Sequence, residues 1–282
     1  MHRGKRPSSN EAYSARHGNA VSAPVRGTNC GVRFAATSKS NRKGTLMNST
    51  FATDAVVKTT TTEVEPFLSL LWRPGEIHEL RVPKYNRFGN TGSGYFDSPH
   101  ALAEAATKWD GIANIFVTLN PVNPALLARA RNRVEERATT TTSDADIAQR
   151  RWLFIDIDAI RPSGISSTDE ELAEARVVCY RIRDQLSAMS WPRPAIAMSG
   201  NGYYLLYPVT LPNDAPTTRR VEGVLRALAA KFDTATAKID TSVSNASRLV
   251  GVVGTLKVKG DSLPNRPHRR SYVESLVEAV HA

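Results

Sequence analysis

The residues best suited to chemistry lie in Trp152-Leu153-Phe154-Ile155-Asp156-Ile157-Asp158, where two carboxylates close an apolar run. Successive side chains of a strand point to opposite faces, so Leu153, Ile155 and Ile157 form one apolar face while Asp156 and Asp158 project together from the other. Carboxylates at i and i+2 sit roughly 6–7 Å apart at their Cα atoms, which lets both reach a pair of divalent cations about 3.5–4 Å apart, as two-metal phosphoryl transfer requires. Left without cations, two such neighbouring charges repel. Asp240, in Lys238-Ile239-Asp240-Thr241-Ser242, ends another short apolar run and is a candidate third oxygen ligand.

Two further features bear on phosphate. Ser199-Gly200-Asn201-Gly202 is either a plain hairpin turn or a small-residue loop whose backbone N–H groups approach a phosphate closely. A cationic stretch, Arg248, Lys257, Lys259, Arg266, His268, Arg269 and Arg270, is opposed only by Asp261. It reads either as a solvated basic loop or as a holder of phosphates, which arginine grips bidentately. Arg129, Arg133 and Arg137 fall at i, i+4 and i+8 on an expected helix, a basic stripe that suits a template strand's phosphates or simply solvent.

The elements that position these residues follow from local pattern. Glu76–Val82 alternates as a strand, and a glycine-rich turn, Gly89 to Gly94, follows. Ser98-Pro99 opens a helix, Ile112–Leu119 is an apolar strand, and a helix is expected from about Pro124 to Arg137. After the strand Trp152–Asp158, Thr168-Asp169-Glu170-Glu171 is a capping box for a helix carrying Leu172, Ala175, Cys179, Ile182 and Leu186. Ala195–Ser199 and Tyr203–Val209 form a hairpin around Gly200-Asn201-Gly202, a helix runs from about Thr217 to Phe232, and short strands lie around Ile239 and Val252–Val258. The four tryptophans are scattered and read as core. From residue 67 on there is neither repeat nor linker, so one α+β domain over residues 67–282 is the expectation.

Composition narrows the class. The 282 residues are 41% hydrophobic and 23% charged, an ordinary globular mixture. No run approaches the ~18 apolar residues of a membrane span, so no membrane association is expected. Two cysteines, Cys30 and Cys179, exclude a disulfide scaffold or a cysteine-rich zinc module and fit a reducing, cytoplasmic setting. Of the net charge of +10, +8 sits in the first 46 positions, which hold nine Lys or Arg against Glu11 alone. Residues 1–66 are therefore expected to be a disordered basic extension; it suits a DNA-gripping arm, a targeting peptide or, the favoured reading, text upstream of a start at Met47.

In order, Leu153-Phe154-Ile155-Asp156-Ile157-Asp158, Ser199-Gly200-Asn201-Gly202 and Ile239-Asp240 resemble the three motifs of the archaeo-eukaryotic primase superfamily, most of all its plasmid- and phage-type primase-polymerases. Asn120-Pro121-Val122, Arg161–Thr168, Ser244-Asn245, Ser247-Arg248-Leu249, Gly254-Thr255, Lys259-Gly260 and Arg266-Pro267-His268-Arg269 extend the resemblance over roughly residues 67–275. It implies a primase catalytic core with an RRM-like sheet carrying the carboxylates, plus an N-terminal α/β subregion. It implies Asp156, Asp158 and Asp240 as catalytic ligands of two Mg²⁺ or Mn²⁺ ions, with no zinc site. Ser199, Gly200, Asn201, Gly202, Tyr204, Arg248, Lys257, Lys259, Arg266 and His268 become the nucleotide-binding set. The family usually has His where this chain has Tyr204, and a phenol brings no positive charge to a triphosphate.

The function implied is template-directed joining of nucleoside triphosphates to a 3′-hydroxyl, a DNA primase or polymerase acting in replication on a single-stranded or primed DNA template. Without a Gly-x-x-x-x-Gly-Lys-Ser/Thr loop, any helicase is a separate protein. Two alternatives stand beside it: a catalytically impaired relative that binds single-stranded DNA or nucleotides, as Tyr204 would favour, and an unrelated Asp-x-Asp nucleotide-sugar glycosyltransferase.

Overall fold

The computed structural model describes residues 58–276, and the basic extension expected at the N-terminus lies outside them up to residue 57. Residues 58–66, expected to belong to that extension, are instead structured. Thr61–Leu71 is a helix, α1, because Val64, Phe67, Leu68 and Leu71 recur at i, i+3, i+4 and i+7 and all bury. Its start is fixed by the Glu63 carboxylate, which accepts from the Thr60 backbone N–H at 2.7 Å. Thr60 is thus the helix N-cap.

Strand β1 (His78–Val82) pairs antiparallel with β2 (Gly92–Phe96), so β2 begins inside the glycine-rich stretch expected to be a turn. Helix α2 (Pro99–Trp109) opens at Ser98 as its N-cap, and β3 (Phe116–Thr118) returns along β1. The helix expected from Pro124 to Arg137 is only a short 3₁₀ turn, Pro124–Arg129. Its continuation serves the sheet: Tyr95 N–H donates to Ala130 O, Asn132 N–H to Tyr95 O, and Ser93 and Glu135 exchange both bonds. Gly94 makes this approach possible, since a Cβ there would stand 1.9 Å from the Arg133 carbonyl oxygen. Tertiary pairing outweighs helix propensity here, and Arg129, Arg133 and Arg137 form no helical stripe; Arg129 instead donates to the Tyr95 hydroxyl.

The second half follows its local signals. It comprises β4 (Arg150–Ala159), α3 (Asp169–Ala188), β5 (Ala195–Met198), β6 (Gly202–Leu211), α4 (Ala215–Phe232) and β7 (Ala237–Ile239). Then come β8 (Leu249–Gly251), β9 (Leu256–Lys257), β10 (Arg269–Arg270) and β11 (Tyr272–Ser275), so of the strand expected over Val252–Val258 only Leu256–Lys257 forms, and β8 ends just before that stretch. A four-stranded sheet has the order β2-β1-β3-β8, a five-stranded sheet the order β11-β5-β6-β4-β7, and β9 and β10 make a ribbon. Both larger sheets are antiparallel in an α+β fold. Leu153, Ile155 and Ile157 bury beneath α3 and α4, whose Val178, Cys179, Ile182, Leu225 and Phe232 complete that core. Trp72, Trp109, Trp152 and Trp191 pack against it. Among the described residues no helix is long and apolar enough to cross a membrane.

Gly94→Ala sets backbone against backbone, where neither side has a flexible end to move. It should destabilise the protein by about 1–3 kcal/mol, read from a urea transition; an unshifted midpoint would mean that residues 130–135 do not depend on β2.

Candidate active site

Strand β4 lies between β6 and β7, and this register gathers the site. Asp156 is opposite Tyr204, and Asp158 is opposite Gly202 on one side and Lys238 on the other. Beyond the Ile157–Ile239 pair, the Asp240 N–H donates to Asp156 O at 2.9 Å, so Asp240 flanks Asp156 across the ladder. The three carboxylates and Tyr204 therefore share the face opposite the one covered by α3 and α4. Only glycine fits at position 202, where a Cβ would lie 2.3 Å from Ile157 O.

Burial and charge crowding together set the electrostatics. Asp156 is half-buried, and its carboxyl is pushed up to about 8, first by burial and then by the charges of Asp158 and Asp240, against the pull of Arg248 and Arg161. Both guanidiniums are held in place. Arg248 donates from Nε to Asn245 Oδ1 and from Nη2 to Ser242 O. Arg161, 5% exposed, donates to Ala159 O, Ile165 O and Asn201 O, and its Nη1 lies 3.7 Å from Asp158 Oδ1. Arg161 was not among the expected site residues; its position three residues after Asp158 is the signal that points to it.

Tyr204 departs from the expected phosphate contact. It is 2% exposed, with its ring between Phe67 and Phe154 at 6.5 and 5.3 Å. Its hydroxyl has no hydrogen-bond partner among the described residues. Burial, then the neighbouring Asp156, raise it well above the ordinary phenol range, so it stays a neutral O–H beside the carboxylates.

The other expected nucleotide-binding residues divide. Ser199 N–H donates to Gly202 O, closing the hairpin, and Gly200 takes φ +100°. Asn201 faces inward, its Oδ1 accepting from Ser167 N–H at 2.8 Å. Lys257 is not a surface cation: it is 7% exposed, and its Nζ donates to Thr255 Oγ1, Ile115 O and Val252 O. Its stem lies flat on Gly200, where a Cβ would meet Lys257 Cβ at 2.5 Å. Arg266 is likewise taken, by both Glu171 oxygens and Ser166 O. His268 is partly exposed with Nε2 against Gly260 O, and Lys259 is exposed. Buried partners that sequence spacing cannot reveal claim Lys257 and Arg266.

As donors, three carboxylates are hard oxygen ligands and fit Mg²⁺ or Mn²⁺. As they stand, no three His, Cys, Asp or Glu side chains among the described residues are close enough together to hold a metal. Asp240 turns its Oδ1 to Ser242 N–H and Oγ at 2.8 and 2.6 Å, and Asp158 turns its Oδ1 toward Arg161. Rotation of those two side chains toward Asp156 is what a cage would require.

No family model and no curated protein matches the chain. Among solved structures it is similar to the polymerase domain of Ligase D from Mycobacterium tuberculosis, determined in complex with DNA. The likeness covers 75% of this chain and 81% of that one at 15% identity and a TM-score of 0.39. At that level it assigns no activity.

Burial first, with Asp110 opposing it, lowers the Lys257 ammonium to about 7. The unfolded lysine keeps its proton to above pH 10, so the unfolded chain binds the extra proton in between and stability rises with pH across that window. Between pH 7 and pH 9 the unfolding free energy of the native chain should climb relative to Lys257→Met, by at most about 1.4 kcal/mol per pH unit. Parallel pH profiles would place the lysine in solvent.

Proposed function

We propose that this chain is a nucleotidyltransferase of the primase-polymerase type, joining nucleoside triphosphates to a 3′-hydroxyl on a DNA template. The observation that carries the reading is the convergence of Asp156, Asp158 and Asp240 from β4 and the end of β7 on one sheet face, where burial, and then the excess of negative charge from Asp158 and Asp240, push the Asp156 carboxyl up to about 8. That excess suits an arrangement completed by cations. Asp156, Asp158 and Asp240 would hold two Mg²⁺ or Mn²⁺ ions, which when bound supply Lewis-acid stabilisation of the attacking and leaving oxygens.

The chain's own residues do the rest. Arg248, fixed by Asn245 and Ser242, holds a guanidinium beside the carboxylates, where it would neutralise phosphate charge developing in the transition state. Arg161 ties the Asp158 end of β4 to the carbonyl of Asn201, so the carboxylate strand and the Ser199–Gly202 turn keep a fixed spacing. That turn offers backbone N–H groups at the strand end. Tyr204 brings a neutral, unpartnered hydroxyl to the flank of Asp156 and no positive charge.

A second reading rests on the same residues. With Tyr204 neutral, Lys257 buried and Arg266 paired to Glu171, fewer cations are left for a triphosphate, which favours a slow enzyme or a binding module for nucleotide or single-stranded DNA.

A labelled primer on a single-stranded template, supplied with dNTPs or NTPs and Mn²⁺ or Mg²⁺, decides between them. Template-directed extension is expected from the native chain and should fall to background, about 10³-fold or more for loss of a central charge-stabilising group, in Asp156→Ala and Asp158→Ala. Extension gained only on Tyr204→His would support the binding module. Independently of activity, Mn²⁺ should raise the melting temperature of the native chain in a concentration-dependent way. An equal rise in the doubly substituted Asp156→Ala, Asp158→Ala chain would remove the site.

A further inference from the structure

We infer that the end of the four-stranded sheet carries a stacking platform for single-stranded DNA, centred on Phe88 in the β1–β2 loop. Phe88 is 73% exposed, and the Arg87 guanidinium lies 4.8 Å from its ring centroid. The loop is built to keep the ring there. Asn86 Oδ1 accepts the backbone N–H groups of Phe88 and Asn90, Gly89 N–H donates to Asn86 O, and Tyr85 N–H donates to Asn90 O. Tyr85 in turn sets its ring against Trp109 at 4.9 Å, which roots the loop on α2. A ring ordered in advance loses little freedom on binding.

The surroundings favour an unpaired base over an apolar protein partner. Lys84, Arg87 and Lys108 are exposed, and no acid occurs from Pro83 to Phe96. Asp110, the acid after Trp109, is fully engaged inside by Thr59 N–H, Leu256 N–H and Arg270. Ile112, 58% exposed, adds a second apolar surface one turn beyond Trp109. Aromatic faces among phosphate-binding cations are the means by which single strands are held without sequence preference.

The platform also leads to the candidate site. Asn114 exchanges both hydrogen bonds with the Val258 backbone, which brings exposed Lys259 beside the α2–β3 loop. The stem of Lys257 meets Gly200 of the turn. Asn114, in the loop that follows α2, is thus linked through Val258 and Lys257 to the Ser199–Gly202 turn. The inference rests on the polymerase reading for its purpose and on the platform's own geometry for its binding.

The test measures fluorescence anisotropy of a labelled oligothymidylate with the full chain, Phe88→Ala, Phe88→Trp and Lys84→Gln. Phe88→Ala should weaken binding roughly tenfold or more. Phe88→Trp should keep the affinity and add a DNA-dependent quench of its indole, which a purely structural ring would not give. Lys84→Gln should lower the salt slope by about 0.7. Unchanged affinity in Phe88→Ala, an indole indifferent to DNA, or Phe88-dependent binding to vesicles of anionic lipid in place of DNA would each overturn the platform. Primer extension separates the two readings: Phe88-dependent binding by a native chain that extends no primer leaves the platform standing and removes the polymerase. Primer extension with the same template KM in Phe88→Ala does the reverse.

Discussion

Negative charge concentrated around Asp156 is the condition to which the surrounding structure answers. An antiparallel ladder with a two-residue side-chain period cannot bury Ile155 and Ile157 under α3 and α4 without turning Asp156 and Asp158 together to the other face. The short β7 then ends where Asp240 stands across from Asp156. Nothing in strand geometry relieves the repulsion, so relief comes from outside the ladder: Arg161 from the segment after β4 and Arg248 from the segment before β8, each fixed by several carbonyl or amide oxygens. Two such guanidiniums leave the Asp156 carboxyl far above its ordinary range. The proposed cations would answer this state, whereas Asp110 and Glu171 are neutralised in place by Arg270 and Arg266.

The two sheets are held together by a group that is costly to bury. Lys257 carries its amine to the carbonyls of Ile115 and Val252, just beyond β3 and β8 of the four-stranded sheet, while its stem packs on the hairpin turn of the five-stranded one. An apolar residue would fill the same space but would leave those carbonyls and Thr255 Oγ1 without this donor. The depressed pKa is the other side of that arrangement: the amine serves as a neutral or reluctantly charged donor, and its geometry matters more than its charge. Gly200 and Gly251 both stand where a side chain would strike Lys257, so small residues at these positions belong to the same contact.

What the sequence made legible was whatever is settled within one element. The alternation of β4, the Thr168 to Glu171 capping box and the hairpin at Gly200-Asn201-Gly202 each carry their own hydrogen-bond logic, and the structure places them where the pattern puts them. Two misreadings share one cause. The segment after Pro124 has helical composition, but the unpaired edge of β2 takes its backbone bonds; the threonine run before α1 looks unstructured until Glu63 closes on Thr60. In both, the deciding partner lies outside the pattern inspected. The carboxylates were legible for the same reason β4 was, whereas the burial of Tyr204 and Lys257 depends on Phe67 from α1 and on Ile115 before β3, and no spacing announces that.

The burial of Tyr204 also changes what its identity means. At an exposed position, a phenol in place of an imidazole would be a direct loss of positive charge at the phosphates. Wedged between Phe67 and Phe154 with its hydroxyl unpartnered beside Asp156, it acts on the carboxylates instead. It excludes water from one flank of Asp156 and thereby contributes to the burial that raises that carboxyl. A charged imidazole there would pull the Asp156 pKa down and relieve the crowding. A neutral phenol preserves it, and the demand for cations passes to whatever binds the open side of the face. On the proposed function, the residue at 204 would then set how strongly the carboxylates need metal before it sets how tightly a triphosphate is held.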